Sequence, residues 1–193
     1  MRFEKSEKPY FQFVDIPDID DFSFEKLSVR NYRHLLELFE SDENKFVDER
    51  FKNEELCKQY ADTIENYSPY SPKHGGADWL WKIGNTYAGI LHLYDLSLET
   101  FAENNQRCWI GFATRKYFRN KGFTVKVLKH FINHIFKGYP HINYIHAMTE
   151  PDNVASQNLL LKAGFHFDSA ERVSKVHLFY ELTRQEFVNS IFT

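Results

Sequence analysis

No stretch of the 193-residue sequence approaches the roughly 20 apolar residues that a membrane-spanning helix needs. The opening residues, Met1 to Ser6, hold no apolar run, so no secretory signal is expected. There are two cysteines, Cys57 and Cys108, far apart and without Cys-x-x-Cys spacing. They read as reduced, buried thiols of a cytoplasmic protein. Neither sign of charge prevails: 24 Lys and Arg against 27 Asp and Glu leave a net charge of −3. A broad surface for nucleic acid or for an anionic membrane is therefore not implied. Neither Gly-x-Gly-x-x-Gly nor Gly-Lys-Ser/Thr occurs, so a dinucleotide fold or a nucleotide P-loop is not supported. Internal repeats and low-complexity segments are also missing.

What is present suffices for one domain with a full core: 42% of residues are hydrophobic, with 19 Phe and 11 Tyr. Residues 1–21, with Pro9, Pro17 and several Asp, read as an N-terminal arm lying on a single domain of residues 22–193. Phe22–Leu27 alternates apolar and polar, as a first strand should. Ser28 is a candidate N-cap for a helix over Asn31–Phe39, with Leu35, Leu36, Leu38 and Phe39 inward. A second helix is expected over Asn53–Tyr67, with Leu56, Tyr60 and Ile64 on its buried stripe. Prolines and glycines make residues 68–76 a loop. Ala77–Ile83 and Thr86–Tyr94 form a hairpin joined at Gly84-Asn85.

Residues 95–105 are polar and read as a loop, followed by a fourth strand, Gln106–Thr114. The helix Thr124–Phe136 carries Val127, Leu128, Phe131, Ile132, Ile135 and Phe136 on one face. Lys126, Lys129, His130, Asn133 and His134 lie mostly opposite, and Gly138-Tyr139-Pro140 ends the helix. With Tyr144–Thr149 as a fifth strand, strand, helix and strand predict a right-handed crossover and a parallel pair. A last helix runs from Asn153 to Ala163 and stops at Gly164. Phe165–Asp168 and Lys175–Leu182 read as closing strands, and the tail to Thr193 is unassigned.

The chemistry is organised around the strand-turn-helix Trp109–Phe136. Its turn is Arg119-Asn120-Lys121-Gly122-Phe123-Thr124. A strand entering a helix through a glycine turn points backbone N–H groups outward, and the helix start adds partial positive charge. Arg115, Lys116, Arg119 and Lys121 bring side-chain charge to the same spot. A phosphorylated ligand is one reading and a solvated crossover loop the other. The segment Asn153-Val154-Ala155-Ser156-Gln157-Asn158-Leu159-Leu160 puts Asn153, Ser156 and Leu160 on one stripe, which suggests a polar cleft beneath the helix. Asn153 is equally an N-cap. His130 and His134 have a spacing that can bind metal, but the glutamate of His-Glu-x-x-His is missing and no third ligand is evident.

Arg119-x-x-Gly122-x-Thr124 resembles the Gln/Arg-x-x-Gly-x-Gly/Ala motif of the GCN5-related N-acetyltransferases (GNAT). Together with "WIGFATRKYFRNKGF" and "NVASQNLLLKAGF", it is most similar to the RimJ/RimL-type branch, the ribosomal-protein alanine acetyltransferases. The likeness runs from about Phe22 to Leu182. It implies an α/β (α+β) GNAT fold: a mixed, mostly antiparallel sheet of about seven strands with a splayed parallel fourth and fifth pair and flanking helices. It implies acetyl-coenzyme A as co-substrate, without a metal. The cofactor would meet Phe112, Ala113 and Thr114, the turn Arg119, Asn120, Lys121, Gly122, Phe123 and Thr124, and Asn153 and Ser156. Thr124 stands where Gly or Ala is usual, and its hydroxyl is a candidate phosphate donor.

The implied reaction is acetyl transfer to a primary amine by direct attack in a ternary complex. It needs a neutral amine, a polarised carbonyl and a protonated leaving thiol. Many relatives use a Tyr acid four residues beyond the Ser position; here that residue is Leu160, so Ser156 is the candidate acid. Some relatives carry Glu where Trp109 stands, which leaves Glu150, His146 and His92 as candidate bases. Trp109 is a candidate wall of the acceptor pocket. The expected acceptor is a protein or peptide N-terminus or a small amine. No nucleic-acid or membrane partner is expected, and monomer and homodimer both stay open. The alternative is a coenzyme A-binding module without catalytic activity, because Thr124, Leu160 and Trp109 depart from usual family choices.

Overall fold

The computed structural model describes residues 15–66, 76–95, 106–168 and 177–191. Seven strands form one sheet: β1 (Phe22–Lys26), β2 (Ala77–Ile83), β3 (Thr86–Tyr94), β4 (Arg107–Thr114), β5 (Tyr144–Thr149), β6 (His166–Asp168) and β7 (Leu178–Thr183). Their order is β1-β2-β3-β4-β5-β7-β6. The helices are α1 (Tyr32–Phe39), α2 (Glu54–Asn66), α3 (Phe123–Gly138), α4 (Val154–Ala163) and α5 (Arg184–Ile191). Every neighbouring pair is antiparallel except β4 and β5, the two strands joined through α3. This is the mixed sheet and parallel pair expected from the sequence.

Strand alternation divides the core between the two faces of the sheet. On one face Trp79, Leu91, Leu93 and Ile110 pack against the apolar stripe of α3. On the other, Leu80 and Ile90 meet Leu35, Leu38 and Phe39 of α1, Cys57 and Ala61 of α2, and Phe51. The parallel pairing is short. It joins Arg107 to Tyr144, Cys108 to Ile145 and Trp109 to His146, and stops there. Beyond that point β4 stays paired to β3 as far as Thr114, and β5 stays paired to β7 as far as Thr149. Each strand is thus held on its outer side, and the gap between them is built into the sheet.

Several expectations are corrected. The buried residues of α2 are Cys57, Ala61 and Ile64: Ile64 is inward as expected, whereas Tyr60 is half-buried and Leu56 is exposed. Helix α1 starts at Tyr32 after Asn31; Ser28 lies a turn upstream, where its backbone N–H donates to Asn31 Oδ1 at 2.8 Å. His134 is buried rather than facing out. The tail forms α5, whose Phe187 packs against Phe136. Strand β7 inserts between β5 and β6. A short helical turn, Glu49–Lys52, precedes α2. The expected loop at 68–75, and all of the 95–105 loop beyond Asp95, fall outside the described residues.

Ahead of β1, Ile16 is buried and Ile19 bridges Phe22. His130 Nε2 donates to the Pro17 carbonyl at 2.6 Å, and His130 also stacks on Phe24. Among the described residues no group of His, Cys, Asp and Glu could hold a metal ion, and no helix is long and apolar enough to cross a membrane.

Candidate active site

A cavity of about 610 Å³ occupies the opening between β4 and β5. One wall is Ile110–Thr114 and the other is Ala147–Glu150 with Asn153, Ala155, Ser156 and Leu159 of α4 and its cap. The volume suits a ligand of cofactor-fragment size. Arg115 N–H donates to the Ala88 carbonyl of β3 at 2.8 Å. By the period of two, Ala113 and Gly111 also turn their N–H groups to β3, whereas Phe112 and Thr114 turn theirs into the gap. β4 therefore lines the cavity with main-chain donors.

The turn 119–124 closes one end. Asn120 and Gly122 both have left-handed backbone, at φ 61° and 79°. Alternating left-handed residues before a helix fan successive N–H groups to one side, which makes an anion-binding concavity. Among the described residues the N–H groups of Asn120 to Thr124 meet no acceptor, and no side chain caps α3. A Cβ on Gly122 would meet nothing within 4 Å, so glycine serves the backbone conformation here and not a close approach.

The side chains of this turn do something other than what the sequence suggests. The Arg119 guanidinium donates to the buried carboxylate of Asp42 and, through Nε at 2.8 Å, to the Thr114 carbonyl. Lys121 Nζ lies 3.7 Å from the centre of the Tyr117 ring. Lys116 is exposed away from the cavity wall. Thr124 Oγ1 pairs with Thr114 Oγ1 at 2.9 Å, both buried, so the unusual hydroxyl fastens the start of α3 to the end of β4. Phe123 packs on Phe22 and Phe118.

At α4, Asn153 is the N-cap, its Oδ1 accepting from Ser156 N–H at 3.2 Å. Asn153 and Ser156 both border the cavity, while Leu160 is fully buried in the core. The expected stripe is therefore split: its polar members meet the cleft and Leu160 does not. Glu150 is exposed on the cavity rim.

The far side of the cavity is built on the α1–α2 face. His92 of β3 lies in register with Asp78 of β2 and with Gly111 of β4. Its Nδ1 is 2.9 Å from Asp78 Oδ2 and 3.3 Å from Tyr60 Oη. Tyr60 donates to the same carboxylate at 2.5 Å. Burial, reinforced by that carboxylate, pushes the Tyr60 phenol far above its ordinary pKa. Burial also raises the Tyr94 phenol to about 12. Asp48, on the same wall, is partly desolvated, but hydrogen bonds from Arg50 outweigh that and hold its carboxyl below the usual range.

The cavity thus gathers nine of the sequence-derived site residues: Phe112, Ala113, Thr114, Arg119, Asn120, Thr124, Glu150, Asn153 and Ser156. Lys121, Gly122 and Phe123 do not border it. Of the candidate bases, His92 and Glu150 reach the wall. His146 is buried, paired to Glu181 at 2.9 Å and covered edge-on by Trp109. Trp109 is packed among Tyr94, His146 and Phe179 and does not wall the pocket, contrary to expectation. Sequence reasoning missed Asn44–Glu49, Asp78 and Tyr60. Asp78 and Tyr60 go unmarked because their partners are distant in the chain, and Asn44–Glu49 because only the fold brings that segment to β4 and β5.

Comparison with known proteins agrees with this geometry. The chain superposes on ribosomal-protein-S5-alanine acetyltransferase from Vibrio fischeri with a TM-score of 0.69 at 13% identity, covering 88% of this chain and 97% of that one. It superposes on the aminoglycoside acetyltransferase AAC(6')-Ib, solved with paromomycin and acetyl-CoA, at 0.70 and 16% identity, covering 89% and 98%. A spermidine N-acetyltransferase SpeG chimera from Vibrio cholerae and hSSAT gives 0.64 at 13% identity, covering 88% and 99%. No curated protein sequence matches. Residues 23–166 match the acetyltransferase (GNAT) domain family. With three quarters of the chain inside that match, and the splayed β4–β5 pair in place, the chain belongs to the GNAT N-acetyltransferases, which draw their acetyl group from acetyl-CoA.

Proposed function

We propose that this enzyme acetylates a primary amine, either a protein or peptide N-terminus or a small amine, within the RimJ/RimL-like branch. The supporting observation is the cavity itself: along the β4–β5 gap it runs from Asn120 and Thr124, whose amides meet no acceptor among the described residues, to Ser156. In this reading the diphosphate of acetyl-CoA rests on those amides and the pantetheine arm follows the gap. The Phe112 and Thr114 N–H groups polarise the thioester carbonyl. The amine nitrogen attacks the carbonyl carbon, the C–S bond breaks, and Ser156 Oγ–H passes its proton to the departing thiolate while its oxygen takes one back from water. The proton lost by the amine goes to one of the two candidate bases on the wall, Glu150 or His92. An α-amine with pKa about 7.7–8.0 is roughly one-tenth neutral at pH 7, whereas a lysine amine at about 10.4 is far less so. An N-terminal or weakly basic acceptor is favoured on that ground. Two buried free thiols, Cys57 and Cys108, suit a reducing, cytoplasmic setting.

The test is thiol release from acetyl-CoA in the presence of free-N-terminus peptides, polyamines and aminoglycosides, with product mass as confirmation. Release with at least one class is expected. Tight coenzyme A binding with no release on any amine would instead favour a binding module.

A further inference from the structure

We propose that His92 is the general base of this site and that Asp78 and Tyr60 are the residues that position it; this rests on the acetyl-transfer reading above. Tyr60 gives its hydroxyl proton to Asp78 Oδ2, so at 3.3 Å its oxygen can only accept from His92 Nδ1, and the ring proton lies on Nδ1, 2.9 Å from the same carboxylate. Nε2 is then the nitrogen with the free lone pair, and it meets no partner among the described residues. Asp78 is buried, and His92 is on the cavity wall. The ring is fixed from two further sides. Phe51 stacks on it with centroids 5.9 Å apart. At the ring's Cδ2 edge, a Cβ on Gly111 would stand 3.1 Å away. The residue after Gly111 is Phe112, whose N–H is turned into the gap. A base and a carbonyl-polarising donor therefore sit on neighbouring strands of one cavity.

The other candidates lack one of these features. Glu150 reaches the cavity, but its side chain is exposed and among the described residues no hydrogen bond orients it. His146 has the same 2.9 Å carboxylate pairing, yet Trp109 covers it. Imidazole is the side chain whose ordinary range spans neutral pH, which suits it to general-base work. In the step, Nε2 takes the proton from the acceptor nitrogen as the N–C bond forms. Asp78 stabilises the resulting imidazolium, which releases its proton to water after the thiol leaves.

Only the neutral ring can act, so kcat/KM rises with pH through the ionisation of His92. The titratable and charged groups around the ring are Asp78 on β2, Tyr60 on α2, Asp48 and Arg50 on the turn before α2, and Tyr94 on β3. The experiment is the pH profile of kcat/KM for wild type, His92→Gln and Asp78→Asn with one amine acceptor, alongside acetyl-CoA affinity and thermal unfolding. His92→Gln is expected to lower kcat/KM about 100-fold and to remove the ascending limb assigned to the ring. Asp78→Asn is expected to cost about tenfold and to move that limb to lower pH, because the imidazolium loses its partner. A merely structural role would lower the unfolding temperature without moving the limb. Should His92→Gln fail to fold, Gly111→Ala keeps every titrating group and displaces the ring; the expected result is a lower kcat with acetyl-CoA affinity retained, and an unchanged kcat would overturn the inference. Absence of wild-type turnover on every amine overturns the proposed function and this inference together. Wild-type turnover with an unmoved limb in His92→Gln, or loss of the limb only in Glu150→Gln, overturns this inference alone.

Discussion

The two ends of the cavity are made of different material. At the 119–124 end the groups offered to a ligand are main-chain N–H groups, and the nearby side chains serve the loop: Arg119 holds Asp42 and the Thr114 carbonyl, and Thr124 holds Thr114. At the other end the offered group is a side chain, His92, held by other side chains, Asp78 and Tyr60. The difference matches the two tasks proposed for these ends. Diphosphate is the same in every acetyl-CoA, and a backbone cradle grips it whatever the neighbouring side chains are. Acceptors differ, and proton transfer needs a titrating atom at a defined place, which only a side chain supplies.

The sharpest way to break this comparison is Arg119→Ala. If Arg119 serves the loop, its removal strands a buried carboxylate and leaves the Thr114 carbonyl without its donor. A stability loss of about 3 kcal/mol in urea unfolding is expected, with weaker acetyl-CoA binding only as a consequence. Unchanged stability with weakened binding would mean that the guanidinium itself meets phosphate, and the two ends would be alike.

Gly122 separates backbone from charge. Gly122→Ala meets open space and carries only left-handed strain, so about 1 kcal/mol of stability should go while acetyl-CoA affinity is largely kept. Gly122→Asp adds a carboxylate beside the proposed diphosphate and should raise the dissociation constant about 30-fold, or ~2 kcal/mol, measured by calorimetry. Equal effects from the two variants would point to strain alone and leave the anion cradle without support.

How much of each end was readable in the sequence follows from the same contrast. The cradle depends on local features: a glycine, a strand before it and a helix after it, all within Trp109–Phe136. The hairpin was equally local, and the bounds of β2 and β3 are those that Gly84-Asn85 dictated. Arg119, by contrast, was assigned to phosphate because Asp42 lies 77 positions away and no local pattern announces it. His92 could be picked out as a candidate base but not ranked above His146 or Glu150. The ranking needs the β2–β3 register, which sets Asp78 opposite it, and the packing of α2, which brings Tyr60. The buried stripe of α2 was misread at Leu56 for a similar reason. Its inward residues Cys57 and Ala61 are small, and Leu56 outweighs them in any reading of hydrophobic spacing. The helix α5 was missed because Arg184 anchors it to the carbonyls of Phe136, Tyr139 and Ile142, contacts more than 40 positions back in the chain.

Ser156 sits between the two ends and tests whether they act on one thioester. Ser156→Ala removes a hydroxyl without touching the Asn153 cap, which uses the backbone N–H of residue 156. A fall of about tenfold in kcat with unchanged acetyl-CoA affinity is expected, since a thiolate leaving group needs less acid help than an alkoxide. An undiminished rate would take Ser156 out of the mechanism.

The smallest effect belongs to Thr124, and it probes the cradle's construction most directly. Its hydroxyl is bonded to that of Thr114, so Thr124→Val should leave one buried hydroxyl unpaired and cost about 1 kcal/mol of stability. The double variant Thr114→Val with Thr124→Val replaces both partners by groups of the same shape and should recover most of that loss, a non-additivity read from a double-mutant cycle. Acetyl-CoA affinity should change little in either, because the hydroxyl is spent on the strand and not on the ligand. Weakened affinity in Thr124→Val with stability intact would reverse the assignment: the hydroxyl would then leave Thr114 to donate to a phosphate, and the cradle would be part side chain after all.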